Sequence, residues 1–583
     1  MKIFKELSWF FKERWKHYLL GVSILFMISL LQLIPPQIIG ITIDAITQQV
    51  ITSKKLFNWM LILVVTGIFT YLGRYVWRNM IFGSDNRLQR TLRLRLFEHF
   101  TKMSPFFFQR YRTGDLMAHA TNDINAIQQV AGAGVLQLAD SVLTGSTVII
   151  TMAITIDWRL TLIALLPMPF MALGSSMLGR RMHARFHKAQ ESFSRLNDKT
   201  QESISGIKVT RTFGQEKEDV QDFSNQAEVV VKNNVSVAKV DALFEPMISV
   251  IVGISFVLSI IFGSKFVVDG SLTIGQVIAF TNYLFLLIWP MLAFGFLYNV
   301  IQRGSASYDR VMHLLNEKED ILEEEGAITT KPSGAIQMNL ERFTYPDEKE
   351  AVLKAIDFIL PAGGTLGVVG KTGAGKTTLL KLLMREFDDY EGEIKIGGRS
   401  IKQYSLKALR SSIGYVPQDQ FLFSTTIEGN IRFGKPEASH EEVEQVADLV
   451  AVHEDIVGFE QGYQTVVGER GVSLSGGQKQ RLAIARALIL DPELLILDDA
   501  LSAVDAKTEE QILHNLKTTR TDKTTIIAAH RLSSVEHANV IIVIDGGRII
   551  ERGTHSELMT EDGWYAEMFR NQQLEQSLEK GGE

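Results

Sequence analysis

Glycine, lysine and threonine lie close together in the stretch GKTGAGKTT, residues 370–378. The strand-like run TLGVV precedes it and the apolar run LLKLLMREF follows it, which gives the order strand, glycine-rich loop, helix. In such a loop backbone N–H groups close on phosphate oxygens, the helix amino terminus favours the anion, Lys376 adds positive charge and Thr377 offers a Mg²⁺ ligand. We therefore predict a nucleotide-phosphate site formed by Gly370, Lys371, Thr372, Gly373, Ala374, Gly375, Lys376, Thr377 and Thr378.

Two adjacent carboxylates follow an apolar strand further along the chain. The run LLILD, residues 494–498, ends in Asp498, and Asp499 comes next. A carboxylate at the end of a buried strand is suited to hold Mg²⁺ beside a nucleotide, directly or through water. We therefore expect Asp498 to join Thr377 in a metal site.

A second glycine-containing stretch, LSGGQKQR, occupies residues 474–481 and opens a helix-like run. Ser475, Gly476, Gly477 and Gln478 again predict a helix amino terminus that faces phosphate. One nucleotide does not need two such cradles in one chain. The second cradle is therefore expected to serve a nucleotide that another chain holds.

The elements that carry these residues lie in the second half of the chain, because the first half has the composition of a membrane domain. Hydrophobic residues make up 46% of the 583 residues. Six apolar runs are long enough to cross ~30 Å of hydrocarbon as helices. They are residues 18–38, 57–77, 133–156, 159–178, 243–263 and 275–299. The opening MKIFKELSWFFKERWKHY predicts an amphipathic helix, here called the elbow, that lies at the membrane interface.

The chain thus divides into three parts. We predict an all-α transmembrane domain over residues 1–302, a charged and turn-rich linker over 303–334, and an α/β nucleotide-binding domain over 335–583. Residues 1–300 carry 29 Lys and Arg against 20 Asp and Glu, so the acidic excess of the chain lies in the remainder. The chain has no cysteine, which excludes disulfides, thiolate metal sites and cysteine nucleophiles.

Basic residues are concentrated on one side of the predicted membrane domain. They crowd the elbow, the connection between spans two and three, and the connection between spans four and five, while the opposite loops hold few. This asymmetry predicts that both termini face the cytoplasm. The two basic connections are helix-like, and we expect rods that turn near residues 113–128 and 205–219 and reach the second domain. The alternative is a solvated basic surface beside anionic lipid.

Taken in order, these motifs resemble those of ATP-binding cassette (ABC) exporter half-transporters, here of the multidrug type, and the resemblance covers nearly the whole chain. Tyr345 matches the aromatic residue that stacks on adenine, Gln418 the glutamine that touches the metal and couples to the membrane helices, and His530 the switch histidine near the γ-phosphate. The segments VGERG (467–471) and SAVD (502–505) match an exporter-specific segment and the D-loop. The phosphate loop, LLILD and LSGGQ match Walker A, Walker B and the signature.

The resemblance implies an ATP-hydrolysing translocase with ATP and Mg²⁺ as cofactors. Gln418, Asp499 and His530 are its expected catalytic residues, and Thr377, Gln418 and Asp498 its expected metal ligands. It also implies a dimer in which two ATP molecules lie between Walker A of one chain and the signature of the other. The expected partners are a second half-transporter chain, hydrophobic drugs and the lipid bilayer of a bacterial plasma membrane, with no nucleic acid.

One residue departs from the family pattern, because Asp499 stands where a glutamate polarises the attacking water. The shorter side chain predicts a site in this chain that binds ATP well and hydrolyses it poorly. We therefore favour a heterodimer, similar to bacterial two-subunit multidrug exporters, over a homodimer. The residues leave open whether the cargo is a drug, a lipid or a lipopeptide, and an ATP-gated channel is a further alternative.

Overall fold

The computed structural model describes residues 2–468 and 473–581, and it divides into two compact units. Residues Met1–Lys102 and Tyr111–Glu317 form the first unit, and residues Met103–Arg110 and Lys318–Glu583 form the second.

The first unit is entirely helical in its described residues. Its helices are α1 (Lys2–Glu6), α2 (Ser8–Glu13), α3 (Trp15–Leu31), α4 (Ile34–Thr47) and α5 (Ser53–Phe100). After α6 (Pro105–Arg110), which belongs to the second unit, come α7 (Thr113–Ala118), α8 (Ile124–Gln129), α9 (Val135–Thr151), α10 (Trp158–Leu165) and α11 (Met168–Ser205). The remaining helices are α12 (Ile207–Phe213), α13 (Glu216–Asp241), α14 (Phe244–Val268) and α15 (Ile274–Leu315). Short π-helical segments at His119–Asp123, Val130–Gly134 and Met152–Ile156 continue the third long helix.

Six helical stretches are long and apolar enough to cross a membrane within the described part of the chain. They are Trp15–Thr47, Ser53–Phe100, Thr113–Ile156, Trp158–Ser205, Glu216–Val268 and Ile274–Leu315, and each contains one predicted span. The prediction of six spans is confirmed. Many of their apolar side chains are exposed, as is expected of surfaces that contact lipid or another chain.

The connections between spans are helical, but the first turn differs from the prediction. Helix α5 has 48 residues, which corresponds to about 70 Å of helix. The chain turns at α6, whereas residues 113–128, where we expected the turn, are helical. Pro105 at the start of α6 explains this difference, because proline is tolerated at the first position of a helix and not inside one. The second turn contains the short helix α12, within the predicted region.

The elbow is two short helices, α1 and α2. Ile3, Leu7 and Phe10 on its apolar face are at most 2% exposed, so this face packs against protein. The guanidinium carbon of Arg95 lies 4.4 Å from the ring centroid of Trp9, and Tyr308 donates to the backbone oxygen of Glu6 at 3.4 Å. The elbow is thereby fastened to α5 and α15.

Helix α15 continues past residue 302, the predicted end of the membrane domain. It ends at Leu315, and the two units divide between Glu317 and Lys318. Val311 and Leu314 are nearly fully buried, and the Arg310 guanidinium pairs with Asp123. Packing along its polar end therefore keeps the helix intact, and the first part of the predicted linker 303–334 is helix.

The second unit contains two sheets. Its strands are β1 (Ile336–Phe343), β2 (Leu353–Leu360), β3 (Thr365–Gly370), β4 (Glu391–Ile396), β5 (Arg399–Ser400), β6 (Ile413–Val416), β7 (Leu494–Asp498), β8 (Thr524–Ala528), β9 (Val540–Asp545) and β10 (Arg548–Gly553). One sheet has the antiparallel order β2-β1-β4-β5. The other has the order β10-β9-β3-β8-β7-β6, in which all neighbours except β10 and β9 are parallel.

The helices of this unit complete an α/β fold. They are α16 (Lys376–Leu383), α17 (Leu406–Ser411), α18 (Ile427–Arg432), α19 (His440–Leu449), α20 (His453–Val457), α21 (Gly476–Leu488), α22 (Ala506–Thr519), α23 (His555–Glu561) and α24 (Trp564–Gly581). Short 3₁₀ turns occur at Ile401–Gln403, Gly462–Gln464 and Leu532–Val535. The predicted fusion of an all-α membrane domain to an α/β domain is confirmed.

Strand β7 separates two hydrophobic cores. Leu494 and Ile496 belong to the core that contains the apolar residues of α16, and Leu495 and Leu497 to the core that contains those of α21. Successive side chains of a strand point to opposite faces of the sheet. Helices α16 and α21 therefore pack on opposite faces.

Candidate active site

The carboxyl ends of four neighbouring parallel strands gather most of the predicted site residues. The loop 370–378 follows β3, Gln418 follows β6, Asp498 ends β7, and His530 follows β8. Because these strands are adjacent in the order β3-β8-β7-β6, their carboxyl ends lie along one edge of the sheet. The fold thus brings together residues that are up to 160 positions apart in the chain.

A side chain would meet a close neighbour at two glycine positions of the phosphate loop. Gly370 has φ +149°, and a Cβ there would lie 2.1 Å from the backbone oxygen of Ile544. Gly375 has φ +104°, and a Cβ there would lie 2.7 Å from a Leu353 methyl carbon. Both positions are close to their neighbours and outside the conformations that L side chains favour. The loop conformation that precedes α16 therefore depends on the glycines.

Lys376 curls back over the phosphate loop. Its Nζ donates to the backbone oxygens of Gly370 and Lys371 at 2.9 and 3.1 Å, and the residue is 8% exposed. Burial lowers the pKa of Lys376, while the carboxylates of Asp499 and Asp498 act in the opposite direction. The hydrogen-bond partners of the Lys376 ammonium are backbone oxygens of the loop. An anion bound in the loop would give it a negatively charged partner.

Asp498 is held by two hydroxyl groups. Thr377 Oγ1 donates to Asp498 Oδ1 at 3.2 Å, and Tyr415 Oη donates to Oδ2 at 3.4 Å. Burial raises the pKa of Asp498, which is 3% exposed, and the neighbouring Asp499 adds to this effect. A buried carboxylate beside a threonine hydroxyl is a hard oxygen donor set that suits Mg²⁺, which typically binds through one or two protein carboxylates and substrate phosphates.

Asp499 lies just beyond the strand in a left-handed conformation, with φ +50°. Its N–H donates to the backbone oxygen of Ala528 at 2.8 Å, and its backbone oxygen accepts from Ser502 Oγ at 3.0 Å. These bonds fix the backbone and leave the carboxylate half-buried at the edge of the sheet. A glutamate at position 499 would carry its carboxylate one methylene further from the end of strand β7 than Asp499 does.

The other motif residues surround this edge. The side chains of Gln418 and His530 are exposed. Tyr345 shares a hydrogen bond of 2.9 Å with Thr378, and its ring packs edge-on at 5.1 Å from Phe343 and 5.3 Å from Phe387. Tyr345 is thus fixed beside the start of α16. Glu469–Gly471, in the exporter-specific segment, lie outside the described residues.

The signature residues form a separate site at the amino terminus of α21. Ser475 and Gln478 form reciprocal capping hydrogen bonds, with Ser475 Oγ accepting from the Gln478 N–H at 3.2 Å and Gln478 Oε1 accepting from the Ser475 N–H at 3.0 Å. A Cβ at Gly477 would lie 2.9 Å from the backbone oxygen of Ala503 in the D-loop. The fold does not unite this cradle with the phosphate loop, because α21 and α16 pack on opposite faces of the sheet.

Sequence reasoning missed two side chains that position the site. Tyr415 holds Asp498, and Gln480 joins α21 to the D-loop through bonds of 3.1 Å to Ser502 Oγ and 2.8 Å from the Ala503 N–H. Both lie within three residues of motif residues that we identified, Gln418 and Gln478. Proximity to a motif in the sequence could have drawn attention to Tyr415 and Gln480. It does not predict that Tyr415 contacts Asp498 or that Gln480 contacts the D-loop.

Comparison with known proteins places this geometry in a family. Residues 18–291 match the family described as ABC transporter transmembrane region, and residues 353–502 match the family described as ABC transporter. The chain is 45% identical to the multidrug resistance-like ATP-binding protein MdlA of Escherichia coli strain K12 over 583 residues, which cover 100% of this chain and 99% of that one. It is 43% identical over 580 residues to the probable multidrug resistance ABC transporter ATP-binding/permease protein YheI of Bacillus subtilis strain 168, with the same coverage.

Comparison with solved structures also identifies an ABC exporter fold. The fold resembles that of a bacterial Atm1-family ABC exporter with ATP bound, with a TM-score of 0.79, 27% identity, and coverage of 96% of this chain and 98% of that one. Fold and site together define an ATP-hydrolysing membrane transporter. The chain belongs to the ABC transporter family, and within it to the exporter half-transporters whose relatives are of the multidrug-resistance type.

Proposed function

We propose that this chain is one half of a dimeric exporter that moves amphipathic drugs out of the cytoplasm or the inner leaflet, and that each of its two ATP molecules is shared between chains. The observation that carries the proposal is the placement of the two cradles. Helix α16, which follows the phosphate loop, and helix α21, which follows Ser475 of the signature, pack on opposite faces of one sheet. One nucleotide can contact both kinds of cradle only if a second cassette supplies one of them.

The proposed nucleotide site contains the phosphate loop, Tyr345 and the residues at the sheet edge. Lys376 and the loop N–H groups bind the phosphates, and His530 contacts the γ-phosphate. Thr377 and Asp498, with Gln418, would hold Mg²⁺, and the bound ion would supply positive charge beside the phosphates. The Thr377–Asp498 hydrogen bond supports this assignment, because it places two oxygen donors side by side.

We further propose that the site is asymmetric and the dimer is a heterodimer. Asp499 is one methylene shorter than glutamate, so its carboxylate is withdrawn by roughly 1.5 Å. A displacement of ~1 Å can slow a positioned reaction about 100-fold. The site of this chain then binds ATP and hydrolyses it slowly, while its intact signature completes the active site of a partner that has glutamate at this position.

The first test identifies the partner. The tagged chain, purified from the membranes of its natural host, should carry a second half-transporter in equal amount. A preparation that contains this chain alone and hydrolyses ATP at full rate would show a homodimer and refute the asymmetric arrangement.

The second test compares variants in the purified complex. Gly477→Ala should abolish most ATP turnover, because the added methyl meets the Ala503 backbone and distorts the signature that serves the partner's nucleotide. Asp499→Asn should leave most turnover intact. If Asp499→Asn is as inactive as Gly477→Ala, Asp499 is an effective catalytic base and the proposal of an impaired site is wrong.

The cargo is assigned to drugs because the two relatives described above carry multidrug-resistance names. ATPase activity in defined lipid should therefore rise when an amphipathic cationic dye is added. Strong activity that depends on lipid composition and does not respond to the dye would instead identify a lipid or lipopeptide flippase.

A further inference from the structure

The carboxyl-terminal helix α24 reaches the loop that carries His530. Gln572 Nε2 donates to the backbone oxygen of His530 at 2.8 Å, and Gln572 Oε1 accepts from the backbone N–H of Leu532 at 2.9 Å. A carboxamide can make this pair of bonds because it has both a donor and an acceptor. Gln572 thus contacts the backbone on both sides of residue 531.

Helix α24 is firmly placed for this contact. Tyr565 is fully buried and Phe569 is 7% exposed, and both belong to the core of α21 and β7. Residues 565, 569 and 572 have the spacing i, i+4, i+7, which places them on one face of a helix. Tyr565 Oη also lies 2.8 Å from His555 Nδ1. The packed aromatic side chains therefore fix where the Gln572 carboxamide lies.

The part of the same loop that follows His530 is bonded to the D-loop and to α22. Arg531 Nη1 donates to the backbone oxygen of Val504 at 3.2 Å and to Glu509 Oε2 at 3.1 Å, and Ser534 donates to Glu509 Oε1. These bonds join the loop to the D-loop and α22 through side chains that follow His530. Gln572, in contrast, binds the backbone of His530 itself.

We propose that Gln572 is a positioning residue for His530, so that α24 determines how strongly the nucleotide site of this chain recognises the γ-phosphate. The inference rests on the proposed function, in which His530 contacts that phosphate. His530 is exposed, and its orientation therefore depends on its backbone more than on packing of its ring. Loss of either Gln572 bond would remove an anchor of that backbone that the bonds of Arg531 and Ser534 do not replace, because they act on residues after His530.

The test measures labelling of this chain by 8-azido-ATP in membranes that contain the full-length complex, with ATP or ADP as competitor. In the wild type, ATP should compete better than ADP. Gln572→Ala should reduce this preference about tenfold, which is the effect of losing the proposed hydrogen bond from His530 to the charged γ-phosphate. Gln572→Glu keeps the size of the side chain but replaces the donor, and should act like Gln572→Ala. The neighbouring Gln573 is exposed, and Gln573→Ala should leave the preference unchanged.

A double variant separates positioning from a general structural effect. If Gln572 acts through His530, then Gln572→Ala should cause no further loss in a His530→Ala background. Hydrogen exchange should also quicken at the Leu532 amide in Gln572→Ala, which removes the acceptor of that amide, and should stay slow in Gln572→Glu, which keeps an acceptor there. An unchanged ATP preference in Gln572→Glu, or losses that add in the double variant, would overturn the proposal. Labelling that survives Lys376→Ala would instead refute the nucleotide site itself.

Discussion

At the scale of single residues, Lys376 gives the clearest prediction, which concerns ATP binding to this chain. Its ammonium is buried and bonded only to backbone oxygens of the loop in the described contacts, so an arriving phosphate gains a charge-assisted interaction. Lys376→Ala should weaken ATP binding to this chain by about tenfold or more. Photolabelling of this chain measures the effect, and Lys349→Ala, at an exposed position of the same cassette, is the matched control. Equal labelling of the two variants would contradict the assignment.

At the scale of elements, one buried arginine fastens the segment that enters the cassette. Arg385 is 1% exposed and donates to the backbone oxygens of Tyr404 and Leu322 at 2.9 and 3.0 Å and to both carboxylate oxygens of Asp388. Removing Arg385 would leave the backbone oxygen of Tyr404 buried without its donor and would break the pair with Asp388, which is 22% exposed, at a combined cost of about 3 kcal/mol. Arg385→Ala should therefore lower the Tm of the cassette by about 5–10 °C.

The unfolding of the full-length protein, followed by hydrogen exchange in peptides of the cassette, measures this change. Arg399→Ala, at an exposed position of strand β5, serves as the control. Wild-type protection around Leu322 in the Arg385→Ala protein would show that other contacts hold the segment.

Some of these elements could be predicted from the sequence and others could not. Six spans were predictable because a helix needs about 20 apolar residues to cross hydrocarbon, and the phosphate loop because its glycines are adjacent in sequence. The ends of α5 and α15 were not, because these helices continue as polar segments without an apolar signal. Contacts such as that between Gln572 and His530, 42 residues apart, were also not predictable, since no local spacing encodes them.

At the scale of the whole molecule, we predict outward transport, because the distribution of basic residues is expected to place the cassette in the cytoplasm. Inverted membrane vesicles should accumulate an amphipathic dye when ATP is supplied outside them, because the cassettes are then exposed to the nucleotide. Vesicles that contain the Lys376→Ala variant measure the background. Uptake by right-side-out vesicles that are loaded with ATP inside would mean that the direction is inward.

The separation of the two cradles, which precede helices on opposite faces of the sheet, also has a consequence for inheritance. In the proposed dimer, a chain with a damaged signature would keep its phosphate loop, because α16 and α21 belong to different cores, and it would still pair with a partner. Each such pairing occupies a partner whose own nucleotide then lacks its second half. If the proposed dimer is correct, a defective copy of the gene expressed beside a normal one should reduce transport in proportion to its dosage, and should behave as a dominant allele.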